Sequence, residues 1–94
     1  MFLHVGNDIS VYYKDVIAVL DMETSTTMRE SREFLKTCEE EGFLVTVSPG
    51  EMPKSVIIAE KNGQSAVYIS PIAASTIRKR YNAECTKGEK NERS

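Results

Sequence analysis

The stretch PKSVIIAEKNGQSAVYISPIAASTIRKRY, residues Pro53–Tyr81, decides the fold. Val56, Ile57 and Ile58 form a β-branched run suited to a strand buried on both faces, so Lys54–Glu60 is predicted as a central strand. Asn62-Gly63 follows, the strongest short hairpin signal, because both residues tolerate the positive φ that a two-residue turn requires. Ser65–Ile69 returns with Ala66, Tyr68 and Ser70 on one side of the pleat and Val67 and Ile69 on the other. Beyond it two readings stay open: Ser70-Pro71 as N-cap and first helical residue, or a helix that starts at Ala74-Ser75 after an extended Pro71-Ile72. In either case Ala73, Ile77 and Tyr81 recur every fourth residue as an apolar seam. Arg78, Lys79 and Arg80 fan around the rest of the helix at about 100° per residue.

Working outward, Met1–Val5 and Ile9–Tyr13 read as two short strands joined at Gly6-Asn7-Asp8. Asp15–Leu20 (DVIAVL) is a compact apolar run, predicted to be a central strand buried on both faces. Thr27 followed by Glu30 fits a capping box, so a helix is predicted from Met28, with Met28, Ser31, Leu35 and Cys38 as its stripe, widened by Phe34. Gly42 supplies the left-handed stop after Glu41. The Glu39–Glu41 run lies at the negative end of that helix and reads as a solvated acidic end in preference to a binding site for a basic partner. Phe43–Val47 is a further strand, and Ser48–Pro53, with two prolines and a glycine, is an exposed loop.

The fold class that results is α+β: one domain over residues 1–82, built on a small mixed β-sheet of five to seven short strands. The Met28–Glu41 amphipathic helix lies on one face and a C-terminal basic helix closes the chain. Residues 83–94 form a polar tail predicted to fray into disorder from about Thr86. A chain this short makes a thin core, since a domain of its size buries only about 60% of its unfolded surface. Oligomerisation is a natural source of further buried area.

Composition narrows the function classes. A net charge of −2 carries no global basic excess, so any nucleic-acid contact must come from a local patch. Cys38 and Cys85 lack metal-type spacing and read as free thiols in a reducing cytoplasm. No apolar run reaches the roughly 18 residues that cross a bilayer, so no membrane association is expected. The lone His4 has no second ligand or paired carboxylate beside it and reads as a hydrogen-bonded structural residue. With no convergent acid–base pair, no phosphate-cradling glycine loop and no metal spacing, neither catalysis nor a cofactor is expected.

Pro53-Lys54-Ser55-Val56-Ile57-Ile58, then Tyr68-x-Ser70-Pro71 and Ser75-Thr76-Ile77-Arg78-Lys79-Arg80, resemble the RemB branch of the RemA/RemB extracellular-matrix regulatory proteins. His4-x-Gly6, Asp15-Val16-Ile17 running to Asp21, and Phe34-Leu35 extend the resemblance over about residues 1–81. It implies a cytoplasmic homo-oligomer that assembles into rings and, in the RemA branch, binds upstream DNA to activate biofilm-matrix operons. That branch carries adjacent arginines in the loop after the glycine corresponding to Gly50; this chain has Glu51-Met52 there, Asp15 where another arginine would lie, and Lys54 preserved as a cation.

Two functions follow as expectations. In the first, the chain is a regulator of matrix-gene transcription whose ring repeats a weak DNA-binding patch of Lys54, Arg78, Lys79 and Arg80. In the second, which Glu51 and the acidic balance favour, it is a ring-forming interaction module without direct DNA contact, acting on a partner such as a RemA-type protein.

Overall fold

The computed structural model describes residues 2–22 and 29–93. In chain order these form β1 (Phe2–Gly6), β2 (Ile9–Tyr12), a 3-10 turn (Tyr13–Asp15), β3 (Val16–Asp21), α1 (Arg29–Glu40), β4 (Leu44–Thr46), β5 (Ser55–Lys61), β6 (Gln64–Ser70) and α2 (Ala74–Arg93). Thr27 and Met28, where the capping box and the helix start are expected, lie outside the described residues.

The six strands make two sheets. β1 and β2 pair as an isolated antiparallel hairpin, and the other four take the order β3-β5-β6-β4. β5 and β6 are the inner strands, antiparallel across the register Ser55↔Ser70 to Lys61↔Gln64. Asn62 and Gly63 hold φ values of 53° and 79°. Both are positive, as the predicted two-residue turn demands. β4 runs parallel to β6, which makes the sheet mixed. The parallel pairing obliges the connection over residues 48–54 to carry the chain across the end of β6 to reach β5.

Alternation along β5 sorts the core into two layers. Ile57 and Ala59 face Leu3, Val5 and Val11 of the hairpin and Ile77 of α2. Val56 and Ile58 face the other way, with Val67, towards Leu35 and Cys38 of α1. The sheet is thus covered by α1 on one side and by the hairpin together with α2 on the other. Ile57 is among the wholly buried side chains. An aliphatic so placed contributes about 1.5–3 kcal/mol through the surface it removes from water.

One strand departs from expectation. β3 is an edge strand rather than a central one, and its register shifts between Val16 and Ala18, which turns Ile17 out to 60% exposure. Its apolar run is explained by contacts on both faces, with Val16 and Val19 in the hairpin-side layer and Leu20 in the α1-side layer. No β3 residue is buried, its side chains being half-buried or exposed, so the expected burial on both faces is only partial, as suits a strand with a neighbour along one edge.

α1 ends as predicted at Gly42, whose φ is 81°. The Phe43 N–H donates to the Cys38 carbonyl at 2.8 Å and the Gly42 N–H to that of Glu39 at 3.2 Å. These are the paired bonds of a Schellman stop, and they fold Phe43 back beside Cys38.

Of the two readings for the second helix, the later start holds. Ser70 is wholly buried and its hydroxyl is engaged elsewhere: it donates to the Val5 carbonyl of the hairpin and accepts the Ile72 N–H at 3.0 Å. The chain becomes helical only when the Ala73 carbonyl accepts from Thr76 and Ile77, at 3.0 and 3.1 Å. α2 is then continuous to Arg93, across the boundary that composition sets after residue 82.

Candidate nucleic-acid interface

The four cations singled out from the sequence divide into two pairs. Ala74 and Ile77 are buried and Tyr81 is half-buried, its ring 6.2 Å from that of Tyr13 in an edge-on contact, so this side of α2 lies against the core. Arg78 follows Ile77 by one position and leans over β3, where its Nη2 donates to the Val19 carbonyl at 2.8 Å. Arg80 comes off the other flank, and its Nη1 donates to the His4 carbonyl of β1 at 2.9 Å. The two guanidiniums therefore clip α2 to both sheets. Each has five N–H donors in a fixed fork, so the remaining donors stay exposed while the group itself is held in place.

Lys79 sits between them, about 200° around the helix from buried Ile77, and points outward. Its ammonium makes no hydrogen bond or ion pair with a described residue. Lys54 is fixed at the backbone, where its N–H donates to the Ser70 carbonyl at 2.8 Å and its carbonyl accepts the Met22 N–H at 3.0 Å. Its exposed side chain borders a groove of about 410 Å³ lined by Asp21, Met22, Met52, Pro53 and Ala73. Asp21 places a carboxylate in the groove, which opposes phosphate there.

The structure does not gather the cations into one patch. Ala73 belongs to the Lys54 groove, while Lys79 lies further along α2. The five residues from Ala74 to Lys79 carry it about 7.5 Å down the axis at about 1.5 Å per residue. Glu51 closes a tight turn, its N–H donating to the Ser48 carbonyl at 3.0 Å, and Met52 beside it is 80% exposed. Asp15 lines a different groove with Glu60, Lys61 and Gln64, at the far end of β5 from Lys54. A strand of that length puts about 20 Å between the two ends.

Sequence reasoning places Arg78 and Arg80 on the helix but misses their role as clips, since their acceptors lie 59 and 76 residues away. It also misses the buried Ser55 and Ser70, cross-strand partners at the start of β5. Ser55 Oγ donates to the Ile72 carbonyl at 2.7 Å, and with Ser70 it fixes the path into α2 beside Lys54. The only sequence signal for this pair is two small hydroxyl residues in register across an apolar hairpin.

His4 is exposed, with its Nε2 2.8 Å from the Asn7 carbonyl, a local contact inside the β1–β2 turn. Among the described residues no three His, Cys, Asp or Glu side chains cluster as a metal site would require. Among them, too, no helix is long and apolar enough to cross a membrane.

Residues 2–81 match the family model described as RemA-like, Extracellular matrix regulatory protein A-like. Extracellular matrix regulatory protein B of Bacillus subtilis (strain 168) is 30% identical to this chain over 80 residues, covering 85% of this chain and 89% of that protein.

Proposed function

The chain belongs to the RemA-like family of extracellular matrix regulatory proteins, and on that premise we propose that it regulates expression of biofilm-matrix genes as a cytoplasmic oligomer that touches DNA through cations repeated around a ring. Lys79 is the observation that carries this reading: an exposed ammonium without a protein partner among the described residues, on a helix face held rigid by Arg78 and Arg80 on either side. One subunit offers Lys79, Lys54 and the outward donors of two arginines, too few and too scattered for useful affinity. Held side by side in a closed assembly, several copies multiply weak phosphate contacts into salt-sensitive avidity. Ile17, exposed on the edge strand β3, supplies apolar surface for that assembly. The role is regulatory rather than catalytic.

The second reading is an assembly module that acts through a RemA-type partner without contacting DNA. It is favoured by Glu51 in the loop where the resemblance expects arginine, and by Asp21 beside Lys54.

Light scattering together with electrophoretic mobility shift at two salt concentrations separates the two. The first reading expects a multimer and a shift that weakens steeply with salt, reduced further in the Lys54→Ala/Lys79→Ala variant. A multimer that leaves DNA unshifted at low salt selects the second reading, and a monomer overturns the ring in both.

A further inference from the structure

The face of the sheet opposite α2 carries a feature that the regulatory reading does not use. Between α1 and the β5–β6 hairpin lies an almost wholly apolar groove of about 290 Å³, lined by Phe34, Thr37, Cys38, Phe43, Ile58 and Val67. Phe34 and Phe43 are 45% and 41% exposed, although both are large enough to belong in a core. The Schellman stop at Gly42 is what brings Phe43 to the groove beside Cys38.

Charge around the groove is segregated. At about 100° per residue, Glu30 falls about 40° and Glu41 about 20° from Phe34 around the helix. Glu41 keeps the helical bond to the Thr37 carbonyl at 3.0 Å, so its helical position holds. Its carboxylate lies near enough to the Cys38 thiol to add to the effect of burial in raising that thiol's pKa. The cations of α1, Arg29, Arg32 and Lys36, are all on its far side, roughly 150° from Phe34. Arg29 is held there by a 3.2 Å ion pair with Glu33.

We propose that this acid-rimmed groove docks a cationic peptide segment of a protein partner, one that inserts an aromatic or branched aliphatic side chain between Phe34 and Phe43 and sets lysine or arginine against Glu30 and Glu41. The volume falls just below the roughly 300–1,000 Å³ of small-molecule pockets. Its apolar lining offers few groups to orient a small ligand, whereas a single anchor side chain needs neither the room nor the polar groups. The carboxylates of Glu30 and Glu41 oppose nucleic acid on this face. The candidate DNA-contacting helix lies on the other side of the sheet, so both surfaces are usable at once.

The test is selection of a random dodecapeptide phage library on the immobilised full chain, followed by fluorescence anisotropy with the enriched peptide at low and at high salt. Enriched peptides should combine lysine or arginine with one Phe, Leu or Ile anchor, and binding should weaken with salt. Phe34→Ser should reduce affinity about tenfold. Glu30→Lys/Glu41→Lys should reduce it several-fold, while Lys79→Ala should leave it unchanged. Phe34, Glu30 and Glu41 are all exposed, so far-UV circular dichroism should match the parent; if Phe34→Ser fails to fold, the charge-reversal variant decides alone. Peptides without that pattern, equal binding by the Glu variants, or no enrichment overturn the proposal. So does a self-association in light scattering that Phe34→Ser abolishes, which would assign the groove to a second copy of the chain.

Discussion

Arg78 reaches from α2 to the edge of the four-stranded sheet, where its Nη2 donates a 2.8 Å hydrogen bond to the carbonyl oxygen of Val19. An edge strand presents unpaired backbone groups that recruit other strands indiscriminately, and a guanidinium on one of its carbonyls blunts that tendency. Arg78 is thus a fastener of the fold before it is anything else, and the same holds for Arg80 on His4.

Replacing either arginine with alanine should therefore lower stability, by about 0.5–1.5 kcal/mol for the lost hydrogen bond. Lys79→Ala should stay within about 0.5 kcal/mol, as expected for an exposed side chain with no hydrogen bond or ion pair to a described residue. Urea midpoints of the three variants check this. A midpoint for Arg78→Ala equal to that of Lys79→Ala would show that the clip is energetically empty.

The buried hydroxyl of Ser70 serves two partners, Val5 and Ile72, whereas that of Ser55 serves Ile72 alone. Ser70→Ala should cost about 1–3 kcal/mol because it strands polar backbone groups out of reach of water, and Ser55→Ala should cost less. Thermal unfolding ranks them, and the reverse order would sink this account of the junction.

Two glycines with positive φ should respond differently to alanine. At Gly42, φ 81°, an added Cβ meets nothing within 4 Å. Only the penalty of a left-handed backbone applies there, about 1 kcal/mol or somewhat more. At Gly6, φ 124°, the added Cβ would come within 3.1 Å of Val47 Cγ1 and 3.2 Å of Pro71 Cδ. Val47 is buried and the Pro71 ring cannot rotate aside, so Gly6→Ala should be the more damaging of the two in denaturant titration.

Cys38 is buried under α1, and burial, followed by the nearby Glu41 carboxylate, raises its pKa above the ordinary 9.0. In the folded chain the thiol keeps its proton where the unfolded chain would lose it. Its contribution to stability is therefore complete below about pH 9 and is lost as pH rises past that value. Iodoacetamide under mildly alkaline conditions should label the half-buried Cys85 well before Cys38, with peptide mass spectrometry as the readout. Equal labelling rates would contradict the packing of α1 on the sheet.

The legible parts of this molecule are those coded by neighbouring residues. Asn62-Gly63 announces its turn, Gly42 its helix stop, and the alternation along β6 its two faces. Where the outcome depends on distant chain, the sequence is silent. The apolar run from Val16 to Leu20 predicts burial but not position, and only the pairing shift between Val16 and Ala18 turns Ile17 to solvent. The choice between Pro71 and Ala74 as the helix start rests on Ser70, whose hydroxyl is claimed by a carbonyl 65 residues away. Of the candidate site, the placement of Arg78, Lys79 and Arg80 around one helix is legible, but the engagement of the two arginines is not. The aromatic pair at the acid-rimmed groove is equally hidden, since Phe34 reads as an ordinary member of an apolar stripe.

The first hairpin has an awkward birth. A two-stranded ribbon on its own is marginal in water. This one is seated by Ser70 and Arg80, at sequence separations of 65 and 76 residues, and by Ile77. During synthesis Val5 and His4 precede Ser70 and Arg80 by more than sixty residues, so the hairpin must remain unsettled until α2 has been made. Premature termination anywhere before α2 would release a chain with this hairpin still looking for a place to lie.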